Sequence, residues 1–103
     1  MTDFSYLNVD NAYKLINQKV TKTPLVTNDY INNLLEAEIY FKLENLQNTG
    51  SFKLRGATHK ITKLLENVKD SGVVAYSSGN HAQAVAYASM INSISAKIIM
   101  PKT

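Results

Sequence analysis

Val73-Val74-Ala75-Tyr76-Ser77-Ser78-Gly79-Asn80-His81-Ala82 decides how this chain is built. Val73 to Tyr76 is a short apolar run that reads as a strand. Ser-Ser-Gly-Asn is turn chemistry. Beyond it Ala82, Val85, Ala86 and Ser89 mark a helix rich in small residues, suited to close packing. Ala96 to Met100 is a further strand, which Pro101 closes. Strand, helix, strand is the order of a βαβ unit, the building block of a parallel sheet with helices on its faces.

The same grammar extends upstream. Asp70-Ser71-Gly72 is a stop signal, and before it Leu54, Ala57, Ile61, Leu64, Leu65 and Val68 form an amphipathic stripe that predicts a helix from Ser51 to about Val68. Glu44 to Gly50 is a polar loop. Glu38 to Leu43 alternates, with Ile39, Phe41 and Leu43 on one face and Tyr40 and Lys42 on the other, which predicts a strand. Asn28 or Asp29 begins a short helix carrying Ile31, Leu34 and Leu35. Leu25-Val26 is extended after Thr23-Pro24, because the residue before proline is pushed out of the helical region. The first helix is expected after Leu7-Asn8, capped by Asn8 with Asp10 in its first turn, its apolar stripe being Val9, Tyr13, Ile16 and Val20. The expected fold class is α/β: a parallel sheet with helices on both faces, three-layered and Rossmann-like.

With 103 residues the chain holds one domain at most, and its 45% apolar and 18% charged content is that of a globular protein. The net charge of +3 does not make a nucleic-acid surface, since the cations are spread along the chain and Arg55 is the only arginine. No cysteine is present, which removes disulfides and thiolate metal sites and suits a reducing cytoplasm. Met1-Thr2-Asp3-Phe4-Ser5 has neither the basic nor the apolar region of a signal peptide, and no apolar segment approaches the ~20 residues of a membrane span. The expectation is a soluble, cytoplasmic protein.

Two strand-to-helix junctions carry chemistry, and in open α/β sheets ligands bind at such strand ends. At the first, Thr49-Gly50-Ser51-Phe52-Lys53-Leu54-Arg55-Gly56-Ala57 sets a lysine among apolar neighbours at a helix start. Burial and the helix dipole there would disfavour the ammonium and leave a nucleophilic amine. The alternative is a lysine that snorkels its charge to water. At the second junction, Gly79 permits a tight turn and the amides heading the next helix can hold a carboxylate, with Ser77, Ser78 and Asn80 in reach. A plain capping turn, with a packed or capped His81, is the alternative there. His59 lies mid-helix among lysines. Two histidines without paired acids or cysteine make no metal site. The glycines stand singly at 50, 56, 72 and 79, so no G-x-G-x-x-G or Walker-type loop exists.

A lysine and an anion-binding loop on neighbouring strand ends are the ingredients of an amino-acid site built on a lysine-bound carbonyl. Lys42-Leu43-Glu44-Asn45-Leu46-Gln47-Asn48-Thr49-Gly50-Ser51-Phe52-Lys53-Leu54-Arg55-Gly56-Ala57 resembles the cofactor-lysine motif of threonine/serine dehydratases and serine racemases, fold-type II pyridoxal 5'-phosphate (PLP) enzymes. Ser77-Ser78-Gly79-Asn80-His81-Ala82-Gln83 resembles their second signature, and Ile98-Ile99-Met100-Pro101 their following strand. The resemblance covers about Val9 to Thr103. It implies that Lys53 binds PLP covalently and acts as base at the substrate α-carbon. Phe52 would pack on the pyridine ring and Asn80 would bond the ring hydroxyl. Ser77, Asn80 and His81 would bind the substrate carboxylate, and Ser78 would work on the face opposite the lysine, as in racemases.

The implied reaction is elimination of water from L-threonine or L-serine to a 2-oxo acid and ammonia. The resemblance also implies a single partial domain over residues 1–103, with 1–50 starting a larger-domain region and 51–103 a smaller one. Family members are longer, and their glycine-rich phosphate loop, their group facing the pyridine nitrogen and the metal ligands of some members lie beyond anything present here. The chain therefore reads as an N-terminal piece, either inactive alone, completed by a second fragment or a homo-oligomer, or a non-catalytic partner of a longer paralogue. Where such relatives often have glycine, before the second and last strands, this chain has Glu36 and Asn92-Ser93.

Overall fold

The computed structural model describes residues 5–102. Met1–Phe4, within the stretch read for a leader, and Thr103, the end of the resemblance, lie outside the described residues. Helix α1 (Tyr6–Ile16) opens at Ser5, whose hydroxyl accepts from the Asn8 amide at 3.4 Å. Ser5 is therefore the cap in place of Asn8, and Asp10 lies beyond the first turn, where it pairs with Lys14 at 2.6 Å. Of the expected stripe only Ile16 is buried within the helix; Val20 is buried from the turn beyond it.

Strand β1 (Leu25–Thr27), helix α2 (Asp29–Leu35) and strand β2 (Tyr40–Lys42) follow. β1 and β2 pair antiparallel, Leu25 opposite Lys42 and Thr27 opposite Tyr40. The expected parallel sheet is thus confined to the later strands, β2 pairing instead with β1 in a separate two-stranded sheet that Asn32 holds together. Its side-chain amide donates to Thr27 Oγ1 at 2.8 Å and its carbonyl accepts from the Ile39 amide at 2.9 Å, tying both strand ends to α2. Glu36, left-handed at φ 49° and ψ 41°, turns the chain back between them. The strand expected over Glu38–Leu43 is accordingly only three residues long.

A 3-10 turn (Glu44–Leu46) leads to helix α3 (Lys53–Lys63). The helix breaks at Leu64 (φ −99°, ψ 8°) and resumes as the short α4 (Leu65–Val68), where the apolar stripe had read as continuous. Strand β3 (Val73–Tyr76), helix α5 (Asn80–Ile91) and strand β4 (Ala96–Ile99) form the expected βαβ unit, β3 and β4 running parallel in the register Val73 to Ala96 and Tyr76 to Ile99.

The core joins Ile16 and Val20 to Leu54, Ala57 and Ile61 of α3 and to Ala84, Val85 and Ala88 of α5, with Val73, Ala75, Ala96 and Ile98 packed against it. Alanines at 84 and 88 let the two helix backbones approach. Lys19 Nζ donates to Thr62 Oγ1 (3.0 Å) and Asn92 Oδ1 (2.7 Å), clasping the C-terminal ends of α3 and α5. The helices therefore run side by side in the same direction, and both chemistry-bearing junctions stand at their N-terminal ends. Among the described residues, helices cover one face of the β3–β4 sheet; Val74, Tyr76 and Ile99 on the other are exposed. The fold class is α/β, in the form of an incomplete domain.

Candidate active site

Lys53 is the first residue of α3, preceded by a helical Phe52 that offers no side-chain cap. The next residue, Leu54, is fully buried. Successive residues of a helix project about 100° apart, so turning Leu54 into the core turns Lys53 outward. Lys53 is exposed and Phe52 is 66% exposed, so the expected lysine packed among Phe52, Leu54 and Ala57 is not found. The burial on which that argument rested is absent from the described residues.

The second junction follows β3. The Ser77 amide donates to the Ile99 carbonyl at 3.1 Å, extending the ladder by one step, and the Gly79 amide donates to Ser77 Oγ at 3.2 Å. Gly79 precedes α5 and provides no side-chain cap. The first-turn amides of α5 thus have neither an intrahelical acceptor nor a capping oxygen, and they form the positive end of the helix dipole. A Cβ at Gly79 would meet nothing within 4 Å, so the helix start is open on that side. Ser78, Asn80 and His81 are exposed around it and Ser77 is half-buried. Among the described residues the side chains of Lys53, Ser78, Asn80 and His81 have no hydrogen-bond or ion-pair partner. An apolar cleft of about 300 Å³ between α3 and β3 is lined in part by Gly56, Ala57, Ile61, Val73, Val85 and His81. Lys53, Ser77, Ser78 and Asn80 are not among its lining residues.

These residues fit part of PLP and its substrate. Free amides and unpartnered polar side chains suit a carboxylate, and an unpaired amine beside an exposed phenyl ring suits an aromatic aldehyde. None of the described residues forms a glycine-rich loop of the kind that cradles a phosphate.

One cluster escaped the sequence reading. The Arg55 guanidinium grips Glu44 through Nε at 3.0 and 3.1 Å and Nη2 at 2.6 Å, and also donates to the Thr21 carbonyl at 3.3 Å. Thr23 Oγ1 donates to Glu44 at 2.7 Å. Gln47, 4% exposed, accepts from the Thr21 amide at 2.8 Å and donates to the Thr21 carbonyl at 2.9 Å. The available signal was that the chain's only arginine lies two residues after Lys53, with a glutamate in the loop ahead of it.

A family profile described as "Pyridoxal-phosphate dependent enzyme" matches residues 16–103, and the chain belongs to that family. Within it, the relatives include threonine dehydratases and serine racemases of fold type II, and also a hydroxyaspartate ammonia-lyase and an aspartate racemase. The chain is 52% identical over 95 residues to the biosynthetic L-threonine dehydratase of Lactococcus lactis, covering 92% of this chain and 23% of that protein. It is 44% identical over 102 residues to the serine racemase of Dictyostelium discoideum, covering 99% of this chain and 32% of that protein. The solved structure of the Dictyostelium serine racemase superposes with a TM-score of 0.88 at 46% identity, over 93% of this chain and 32% of the other. The chain thus spans between about a quarter and a third of the length of these curated relatives.

Proposed function

We propose that this chain supplies the lysine and carboxylate-binding part of a PLP-dependent threonine/serine dehydratase. The observation that carries this reading is the uncapped, open N-terminus of α5, ringed by unpartnered Ser78, Asn80 and His81, at the same end of the helix pair as the free Lys53 amine. PLP, when bound, is the electron sink for the charge that develops at the substrate α-carbon.

The protein's own residues do the rest. Amides at the head of α5, with Ser77, Asn80 and His81, hold the carboxylate of L-threonine or L-serine and fix which Cα bond stands free to break. Lys53 Nζ would hold the cofactor, and its amine would take the α-proton. Hydroxide leaves the β-carbon with a proton, so the elements of water depart and the product hydrolyses to a 2-oxo acid and ammonia. Phe52 would pack on the ring of PLP and Asn80 would bond its hydroxyl. Ser78 holds a proton on the opposite face. An exposed, unpartnered Ser78 hydroxyl supports a second reading, racemisation of serine, in which Ser78 would return a proton to the face that Lys53 does not serve.

The isolated chain does not turn over, because a cofactor without its phosphate cradle loses binding energy and orientation. Residues 1–50 and 51–103 then contribute to two domains of a longer or assembled enzyme, completed by a further polypeptide segment. In a third reading the chain keeps the family's packing without catalysis and associates with a full-length paralogue.

A graft tests this. Residues 9–102 replace the equivalent third of the Dictyostelium serine racemase, and ammonia release from L-threonine and L-serine and the chirality of recovered serine are measured. The expected result is ammonia release that Lys53→Ala abolishes, with Ser78→Ala removing any D-serine. A folded, PLP-loaded graft that is inactive would rule out the catalytic readings.

A further inference from the structure

We propose that Glu44 and Arg55 are positioning residues for the Lys53 amine, a clamp that holds the first turn of α3 so that Lys53 projects to one place in solvent. The inference rests on the reading of Lys53 as the PLP attachment point. The first turn of α3 has no side-chain cap, and an uncapped helix start frays. Residues two apart on a helix lie on opposite sides, so a guanidinium fixed on the inner side at 55 sets the outward direction at 53. Arg55 reaches across the polar loop to Glu44, and through the Thr21 carbonyl and Thr23 Oγ1 (3.4 Å) to the segment after α1.

The loop that carries Lys53 is thus fastened at both ends. Gln47 binds Thr21 on both its amide and carbonyl, repeating a strand-like pairing with a side chain. Leu54 is fully buried in this turn, and Ala57 and Ile61 further along bury the same face of α3. The fork of Arg55 on a carboxylate adds a directional, charge-assisted restraint at the helix start, where that packed face begins.

The test is lysine-resolved labelling of the whole chain with limiting PLP, fixed by borohydride reduction and mapped by peptide mass spectrometry. The native chain should concentrate label on Lys53 relative to Lys60 and Lys63 of the same helix. Glu44→Gln should lower the Lys53 share about fivefold or more, as expected for losing a charge-assisted pair, while Lys60 and Lys63 hold steady and Glu44→Asp restores most of the preference. Thr23→Val, which leaves the ion pair intact, should lower it about twofold and keeps the idea testable should Glu44→Gln not fold. A Lys53 share unchanged in either folded variant would overturn the clamp while leaving Lys53 as the attachment point. Equal change at all three lysines would reduce the clamp to a general stability element and overturn it. No preference for Lys53 in the native chain would overturn the clamp and the attachment reading together.

Discussion

The Glu44 carboxylate meets Arg55 at 2.6 Å with its side chain 16% exposed. Hydrogen bonds from Arg55 lead in holding its pKa down to about 2, helped by Thr23, the Arg55 charge and Gln47 and opposed by burial. The folded value lies below the ordinary 4.5, so the stabilisation is fully present above pH 4.5 and is lost as pH falls through about 2. Glu44→Gln is therefore expected to lower the urea-unfolding free energy by about 2 kcal/mol at pH 7. The difference from the native chain should shrink as the titration moves below pH 4.5. A pH-independent difference would contradict the pairing. Lys53 and the Ser77–His81 loop could be singled out as candidates because each lies in a run of neighbours. Arg55 and Glu44 are eleven residues apart and meet only through a turn of the loop, so the lone arginine hinted at a partner without saying which.

At the scale of elements, two residues stand where backbone sterics favour glycine. Glu36 has φ 49° and Ser93 has φ 55°, and these are the positions where the family resemblance led to an expectation of glycine. The left-handed conformation costs an ordinary residue about 1–2 kcal/mol, part of which glycine returns as chain entropy. Glu36→Gly and Ser93→Gly should each raise the unfolding free energy by about 0.5–1 kcal/mol, read by chemical denaturation; a loss on either change would contradict the backbone assignment. Gly72 shows the converse. At φ 73° an added Cβ would lie 2.5 Å from the Ser95 carbonyl, so the stop signal at Asp70-Ser71-Gly72 had a steric as well as a statistical basis. Such signals, like the Asn28 cap that accepts from the Ile31 amide, are local and were readable. The break at Leu64 and the antiparallel β1–β2 ladder were not, because periodicity is blind to a pause in a helix and strand order does not specify strand direction.

Across the whole molecule, the Cα radius of gyration is 16.6 Å, against about 13 Å for a compact domain of this length. The β1–α2–β2 arm contains no buried residue, and the pairs around Thr21, Thr23, Glu44, Gln47 and Arg55 root it. Val74 and Tyr76 are 68% and 71% exposed on the open face of a parallel sheet, a type of sheet that is ordinarily covered on both sides. The chain should self-associate through this face, seen as a sedimentation coefficient that rises with concentration and that Val74→Lys with Tyr76→Lys returns to the monomer value. A monomer at all concentrations would argue against it. The α/β class was legible because the βαβ unit is encoded in consecutive residues. The open face was not, since what covers a strand is never written in the strand.

Lys53 carries the proposed chemistry. The purified chain mixed with PLP should develop the long-wavelength absorbance of the lysine-bound cofactor, and Lys53→Ala should remove most of it while Lys60→Ala does not. Absence of the band, or a band of equal intensity in Lys53→Ala, would contradict the assignment of this lysine.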